Sequence, residues 1–225
     1  MKRASRHFTA EQRQRIAQAV RTAEASTNAE IVPVVATASG RYDRGEDFAG
    51  LAFAALALVL CWTLFQHEDP SPGGWGALPI TLDLPWLVGI VIAGFFIGMA
   101  VAMKAAWLRR LFTPRLEMID EVDAGARQAF FDQRIHHTAA ASGVLIYISL
   151  FERRAAVLAD REVMKRLSAG ELETLRDNLI ADLKRGDLTD AIARAIERVG
   201  RRLAECLPGS ATDGNELADA LITID

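Results

Sequence analysis

Two stretches without one ionisable side chain, residues 48–65 and 86–103, limit what this chain can fold into. Each runs for 18 residues free of Asp, Glu, Lys, Arg and His. As helix, each reaches roughly 27 Å, close to the hydrocarbon thickness of a bilayer. The competing reading is a pair of core helices in a soluble protein, but those are usually shorter or keep a polar face. FAGLAFAALALVLCWTLF has no polar face, and WLVGIVIAGFFIGMAVAM is more apolar still. The spacing predicts a transmembrane helical hairpin over residues 48–108, with a short Pro/Gly-rich outer loop at 66–85. Trp62, Trp75, Trp86 and Trp107 fall near the segment ends, where an aromatic belt would sit. The first run starts too deep in the chain for a cleaved signal peptide.

Charge orients the hairpin. Residues 1–47 carry eight Lys or Arg, including Arg41 and Arg44, and Lys104, Arg109, Arg110 and Arg115 follow the second run. The loop has none, and holds Glu68, Asp69 and Asp83. The positive-inside rule therefore predicts both termini in the cytoplasm and the acidic loop outside. Cys61 and Cys206 form no disulfide framework, which fits a reducing compartment. Gly94 and Gly98 make a GxxxG in the second run. Its mate would be the Ala-rich first run or a second copy of the chain, giving a homo-oligomer. The bilayer is the expected partner, with a membrane protein as a further one. A net charge of -3 leaves no electrostatic footprint for nucleic acid.

The remaining residues suffice for one ordinary domain. Thr9 and Gln12 form a capping box, so a helix over about 10–26 is expected, with Ile16, Ala19, Val20 and Ala23 on one face. Residues 29–37, AEIVPVVAT, read as a strand, which Pro33 places at a sheet edge or a bulge. Thr113 and Pro114 open a helix as cap and first residue, with a stripe of Leu116, Ile119, Val122, Ala126, Ala129 and Phe130. GVLIYISL, residues 143–150, reads as a central strand covered on both faces. AAVLA, residues 155–159, returns antiparallel. Ser168 and Glu171 form a second capping box, and Leu172, Leu175, Leu179 and Leu183 mark the buried face. Gly186 stops that helix. Thr189 caps the last one, whose face is Ile192, Ile196, Val199 and Leu203, ending at Pro208. ALITI, residues 220–224, could add a further strand.

Helices and strands alternate, so the class is α/β or α+β. The first two strands should be parallel, joined by a right-handed crossover. The hairpin is then an insertion in one domain whose first part is residues 8–47 and whose second is 113–208, with a tail at 209–225.

TAAASGVLIYISLFERRAAVLAD, residues 138–160, together with AEIVPVVAT resembles the TPM domain family, in particular its bacterial membrane-protein branch with an inserted hairpin. The Asn215-Glu216-Leu217 sequence is also similar to that branch's tail, with Ala218 where Pro is expected. The resemblance implies an α/β fold: an α/β/α sandwich around a small mixed sheet. It also implies accessory roles beside membrane complexes, and in some members calcium binding or phosphatase activity. Elsewhere in the family an acidic G-x-G-L-E stretch and an Asp follow the strand after the ER turn. Here residues 159–165 read ADREVMK, which weighs against metal-dependent chemistry of that kind.

Candidate chemistry rests on few residues. Glu152 and Arg153, with Arg154, sit at the turn between two strands. They are either a polar site or an ordinary solvated turn with a salt bridge. Asp160 either caps the next helix or, with Glu162 and Asp123, supplies oxygens to calcium or another divalent cation. His136, beside His137, is either a fourth member of the polar site or a cation at a helix C-terminus. No nucleophile elbow, phosphate-cradling loop or Cys-rich cluster is present. The reading is a membrane-anchored accessory factor without a cofactor, with a metal-dependent phosphatase as the alternative.

Overall fold

The computed structural model describes residues 2–65, 83–138, 140–209, 217 and 219–225. The outer-loop residues 66–82 and the Asn215-Glu216 pair lie outside the described residues. The chain divides into two compact units: Arg41–Pro114 (with Met1), and a split unit made of Lys2–Gly40 and Arg115–Asp225.

The split unit is an α/β/α sandwich. Its helices are α1 (Ala10–Glu24), α5 (Arg115–Asp132), α6 (Arg161–Met164), α7 (Ala169–Arg185) and α8 (Leu188–Cys206). Its strands are β1 (Ile31–Ala36), β2 (Val144–Ser149), β3 (Arg154–Ala159) and β4 (Ile222–Ile224), in the order β3-β2-β1-β4. β1 runs parallel to β2 and β4, and β3 runs antiparallel to β2. Every residue of β2 is buried. Val144, Ile146 and Ile148 pack with Ile16, Val20, Leu179, Ile192 and Ile196 from α1, α7 and α8. Leu145 and Tyr147 pack on the other face with Val122, Ala126 and Ala129 of α5. Covering on both faces is why this strand is apolar at consecutive positions instead of alternating. Each fully buried Leu or Ile there contributes about 1.5–3 kcal/mol.

Local signals set most element ends. The Thr9–Gln12 and Ser168–Glu171 capping boxes are both formed. Three expectations are corrected. Thr189 is buried inside α8, and Asp187 is the cap, accepting from the N–H groups of Thr189 and Asp190. Thr113 does not open α5; its hydroxyl donates back to the Arg109 carbonyl at 2.9 Å. Leu116 is 74 % exposed, and Met118 takes its place on the buried stripe of α5.

Pro33 lies in an inner strand, not an edge strand. The Val144 N–H bonds the Glu30 carbonyl and the Leu150 N–H bonds the Ala36 carbonyl, so even-numbered residues of β1 face β2. Pro33 faces the other side, where β4 pairs only from Val34 onward. Its missing donor therefore falls where β4 offers no ladder partner, which lets proline occupy this strand.

The second unit contains α2 (Asp43–Phe65), α3 (Leu84–Lys104) and α4 (Ala106–Phe112). Residues Arg44–Phe65 and Leu84–Lys104 are long and apolar enough to cross a membrane, with mean hydropathies of 2.3 and 2.4. α2 and α3 pack on each other through small residues. A Cβ built on Gly98 would lie 2.6 Å from Phe53 Cβ and 2.9 Å from the Ala49 carbonyl, and one on Gly94 would lie 3.0 Å from Ala54 Cα. The GxxxG face thus meets the first helix of the same chain, the first of its two expected mates. α4 docks at the hairpin's base by burying Leu108 with Ala49 and Ala102.

Candidate functional site

β1 and β2 are parallel, so their C-terminal ends lie together, the usual place for function in an α/β sheet. A closed polar cluster occupies that end. Glu152 turns inward and is 1 % exposed. Its Oε1 accepts the Ser39 N–H at 2.9 Å, and its Oε2 accepts the Ser149 hydroxyl. The Ser39 hydroxyl shares a 3.0 Å hydrogen bond with the Tyr147 hydroxyl. Burial pushes the Tyr147 phenol up; the Ser39 bond opposes this and the Glu152 charge adds to it. Gly125 of α5 allows this approach, since a Cβ there would lie 2.8 Å from Tyr147 Oη.

The solvated, salt-bridged turn expected for Glu152 is therefore corrected. The turn sends the glutamate into the protein and leaves Arg153 exposed with φ 53. A non-glycine residue in the left-handed region is uncommon, and here it reverses the chain directly before β3.

The remaining sequence candidates lie elsewhere. Asp160 follows the far end of β3, six strand residues from the turn, or about 20 Å. It caps α6, its Oδ1 accepting the Arg161 N–H at 2.6 Å. Glu162 is ion-paired to Lys165 at 2.6 Å, and the Lys165 hydrogen bond holds its carboxyl below the usual range. Asp123 is exposed on α5. His136 is not at a helix C-terminus. It sits in a 3-10 turn, Ile135–His137, beyond the end of α5, with the Phe131 ring 4.9 Å away. The four candidates Glu152, Arg153, Asp160 and His136 thus divide between the two ends of the sheet. Among the described residues no three His, Cys, Asp or Glu side chains converge to hold a metal ion. Asp160, Glu162 and Asp123 do not fit a divalent cation, which needs several oxygens aimed at one point.

Sequence reasoning missed Ser39, Tyr147 and Ser149. The signal available was the Ser39-Gly40 pair directly after a parallel strand. It also missed a carboxyl group of unusual character at the opposite end. Glu24 accepts the Ile31 N–H at 2.7 Å. Burial, with the charges of Glu30 and Asp219 alongside, pushes its carboxyl up to about 8. Asp219 is in turn paired with Arg21 at 2.8 Å.

A mixed α/β/α domain interrupted by a two-helix apolar insertion is the class these observations define. Residues 108–202 match the family model described as TPM domain. The match begins in α4 and ends within α8, so the first strand and helix lie outside it. The fold is similar to the NMR structure of the BA42 protein from the psychrophilic bacterium Bizionia argentinensis. That similarity has a TM-score of 0.55 at 17% identity, covering 96% of this chain and 94% of that one. No curated protein matches the chain.

Proposed function

We propose that this chain is an integral membrane protein whose TPM domain acts as an accessory or interaction factor at the cytoplasmic face of a bacterial inner membrane. The observation that carries the membrane reading is the outer surface of α2 and α3. Leu51, Val59, Trp62 and Leu64 of α2 are 54–67 % exposed, as are Trp86, Phe96, Ile97 and Met103 of α3 to a similar degree. Water would not tolerate a continuous apolar face of this size on a monomer, whereas lipid covers it without cost. Trp107 and Leu111, each 71 % exposed on one face of α4, extend that surface to the hairpin's base.

Topology supports one-sided exposure of the domain. β1 precedes the hairpin and β2 follows it, yet they pair over six residues. Two spans return the chain to the side it left, which this pairing requires. Residues 1–47 are rich in Lys and Arg and the loop is acidic, which favours the cytoplasm for that side. An accessory role is supported over phosphatase chemistry by the Glu152 cluster, whose carboxylate is engaged inside the protein by the Ser39 N–H and the Ser149 hydroxyl.

Two measurements test this. Single cysteines at Glu11 and Glu173, on a background lacking Cys61 and Cys206, should react with an impermeant maleimide from the cytoplasmic side alone. Labelling of the two from opposite sides would end the reading. Hydrolysis of a generic phosphate ester, with or without divalent cations, should be no greater for the native chain than for Asp160→Ala. Activity lost in that variant would favour the phosphatase.

A further inference from the structure

The two outer margins of the sheet are built differently. On the β4 side every outward position of β1 is answered. The Ile31 N–H donates to Glu24 Oε1 at 2.7 Å, and Pro33 has no N–H to offer. Val35 lies against β4, and the Thr37 N–H donates to the Ile224 carbonyl at 2.8 Å. On the β3 side no further strand follows among the described residues. The Asp160 N–H donates to the Gly143 carbonyl at 2.8 Å, so the even-numbered residues of β3 turn their backbone groups toward β2. The N–H and C=O groups of Ala155, Val157 and Ala159 therefore point away from the sheet.

Edge strands are normally guarded by Lys, Pro, a bulge or an inward-pointing charge. β3 has none of these between its ends. It pairs with β2 in unbroken register over six residues, and residues 155–159 read AAVLA. Val157, Leu158 and Ala159 are half-buried, whereas every residue of β2 is buried. Charge stands only at the ends, where Arg154 opens the strand and Asp160 follows it. This pattern is complementary to itself. Two copies set antiparallel about a two-fold axis through Val157 place Ala155 opposite Ala159, Ala156 opposite Leu158, and Arg154 opposite Asp160. Shifting the axis to Ala156 would set Arg154 against Leu158, and shifting it to Leu158 would set Asp160 against Ala156. Asp160 Oδ1 is used in capping α6, and its Oδ2 makes no hydrogen bond. Arg153 in the turn and Arg161 and Glu162 in α6 lie beyond the ladder, and Glu162 is held by Lys165.

We propose that the β3 edge is where a second copy of this chain adds, giving a two-fold dimer whose two sheets join into one. Ala155 with Ala159, Val157 with its own mate, and Ala159 with Ala155 each exchange a pair of backbone hydrogen bonds. Arg154 and Asp160 face each other at both ends of the ladder, in positions where opposing side chains approach most closely. The backbone ladder supplies most of the affinity, and the two ion pairs set the register. This surface is separate from the GxxxG face, which meets α2 of the same chain. It lies wholly within the split unit and does not depend on the membrane reading.

The test uses the full chain in mild detergent, on a background lacking Cys61 and Cys206. Val157→Cys lies on the two-fold axis, with its Cα about 5.5 Å from its mate, within the reach of a disulfide. Ala155→Cys lies four residues out of step with its own mate, about 14 Å away, which is too far. Oxidation should therefore link Val157→Cys into dimers and leave Ala155→Cys single, while a mixture of Ala155→Cys and Ala159→Cys should link. Val157→Pro removes an outward donor that β2 does not use, a change edge strands tolerate. By sedimentation it should be monomeric where the native chain is dimeric. Arg154→Asp should weaken the dimer roughly tenfold, since two ion pairs become two repulsions. A native chain that stays monomeric, as it would if a different protein occupied this edge, overturns the proposal. So does linkage of Ala155→Cys alone as strong as that of Val157→Cys, or a dimer that survives Val157→Pro, because contact would then lie elsewhere. If the proline variant misfolds, the cysteine pattern still decides.

Discussion

The backbone N–H of Ser39 donates to Oε1 of Glu152 at 2.9 Å, joining residues 113 positions apart. Ser39 stands two residues before the inserted unit begins at Arg41. The bond therefore fixes the point at which the chain leaves the sandwich, and fixes it to the β2–β3 turn. In the turn that resembles the family's ER pattern, Glu152 thus holds the chain's exit point while Arg153 faces solvent.

Replacing Glu152 with Ala should leave the Ser39 N–H and the Ser149 hydroxyl buried without their acceptor. Each unsatisfied group costs about 1–3 kcal/mol, so a loss of about 2–4 kcal/mol is expected. Glu152→Gln should lose less, because the amide oxygen still accepts one bond. Urea unfolding of the full chain in detergent reads both. An unchanged midpoint for Glu152→Ala would mean that the cluster holds nothing together.

Gly98 and Gly89 predict opposite outcomes for the same substitution. A methyl at Gly98 meets Phe53 Cβ at 2.6 Å, whereas one at Gly89 meets nothing within 4 Å. Gly98→Ala should force α2 and α3 apart at a cost of about 1–3 kcal/mol. Gly89→Ala should be neutral or slightly stabilising, since alanine is the better helix former. Cross-linking between cysteines on the two helices, and thermal denaturation in a mild detergent, compare them. Equal behaviour would contradict the packing.

Glu24 gives the domain a pH dependence. Its carboxyl titrates at about 8 in the folded chain, against an ordinary 4.5. Between those values the native state holds a proton that the unfolded state has released. Stability from this group therefore falls as pH rises through that window, and the penalty is complete above about pH 8. Glu24→Gln keeps an acceptor for the Ile31 N–H and removes the titration. Discounted for water still around the carboxyl, the variant should gain on the order of 1–2 kcal/mol at pH 8.5 and nothing near pH 4.5. Parallel stability curves for the two proteins across that range would refute this.

Asp187 caps α8 by accepting the Thr189 N–H at 2.7 Å and, more weakly, the Asp190 N–H at 3.4 Å. Asp187→Ala should cost about 1 kcal/mol. Because those bonds hold its carboxyl below the usual range, the native cap should weaken as pH falls into the acid region, and the alanine variant should not share that loss. Chemical denaturation at neutral and acid pH would show whether the gap closes.

Much of the fold was legible because its causes are local. The Thr9 and Ser168 boxes, the doubly covered β2, the Gly186 stop and the two apolar helices all follow from residue chemistry within a turn or a strand length. The cap of α8 was misplaced by two residues because Asp187 and Thr189 are both good caps, and only burial of Thr189 in the sandwich separates them. The candidate site was legible only in its members. Glu152 and Asp160 look close in sequence, but a straight strand between them carries them to opposite ends of the sheet.

Taken alone, the order of the residues determined the secondary elements, the apolar hairpin and the parallel pairing of its flanking strands, because periodicity and length act over short spans of chain. Tertiary structure alone decided that Glu152 points inward, that Pro33 can sit in an inner strand, that Glu24 keeps its proton near neutral pH, and that the N-terminal turn lies beside the end of β4. Each of these depends on which distant backbone or charge comes within a few ångströms, and spacing along the chain does not encode that.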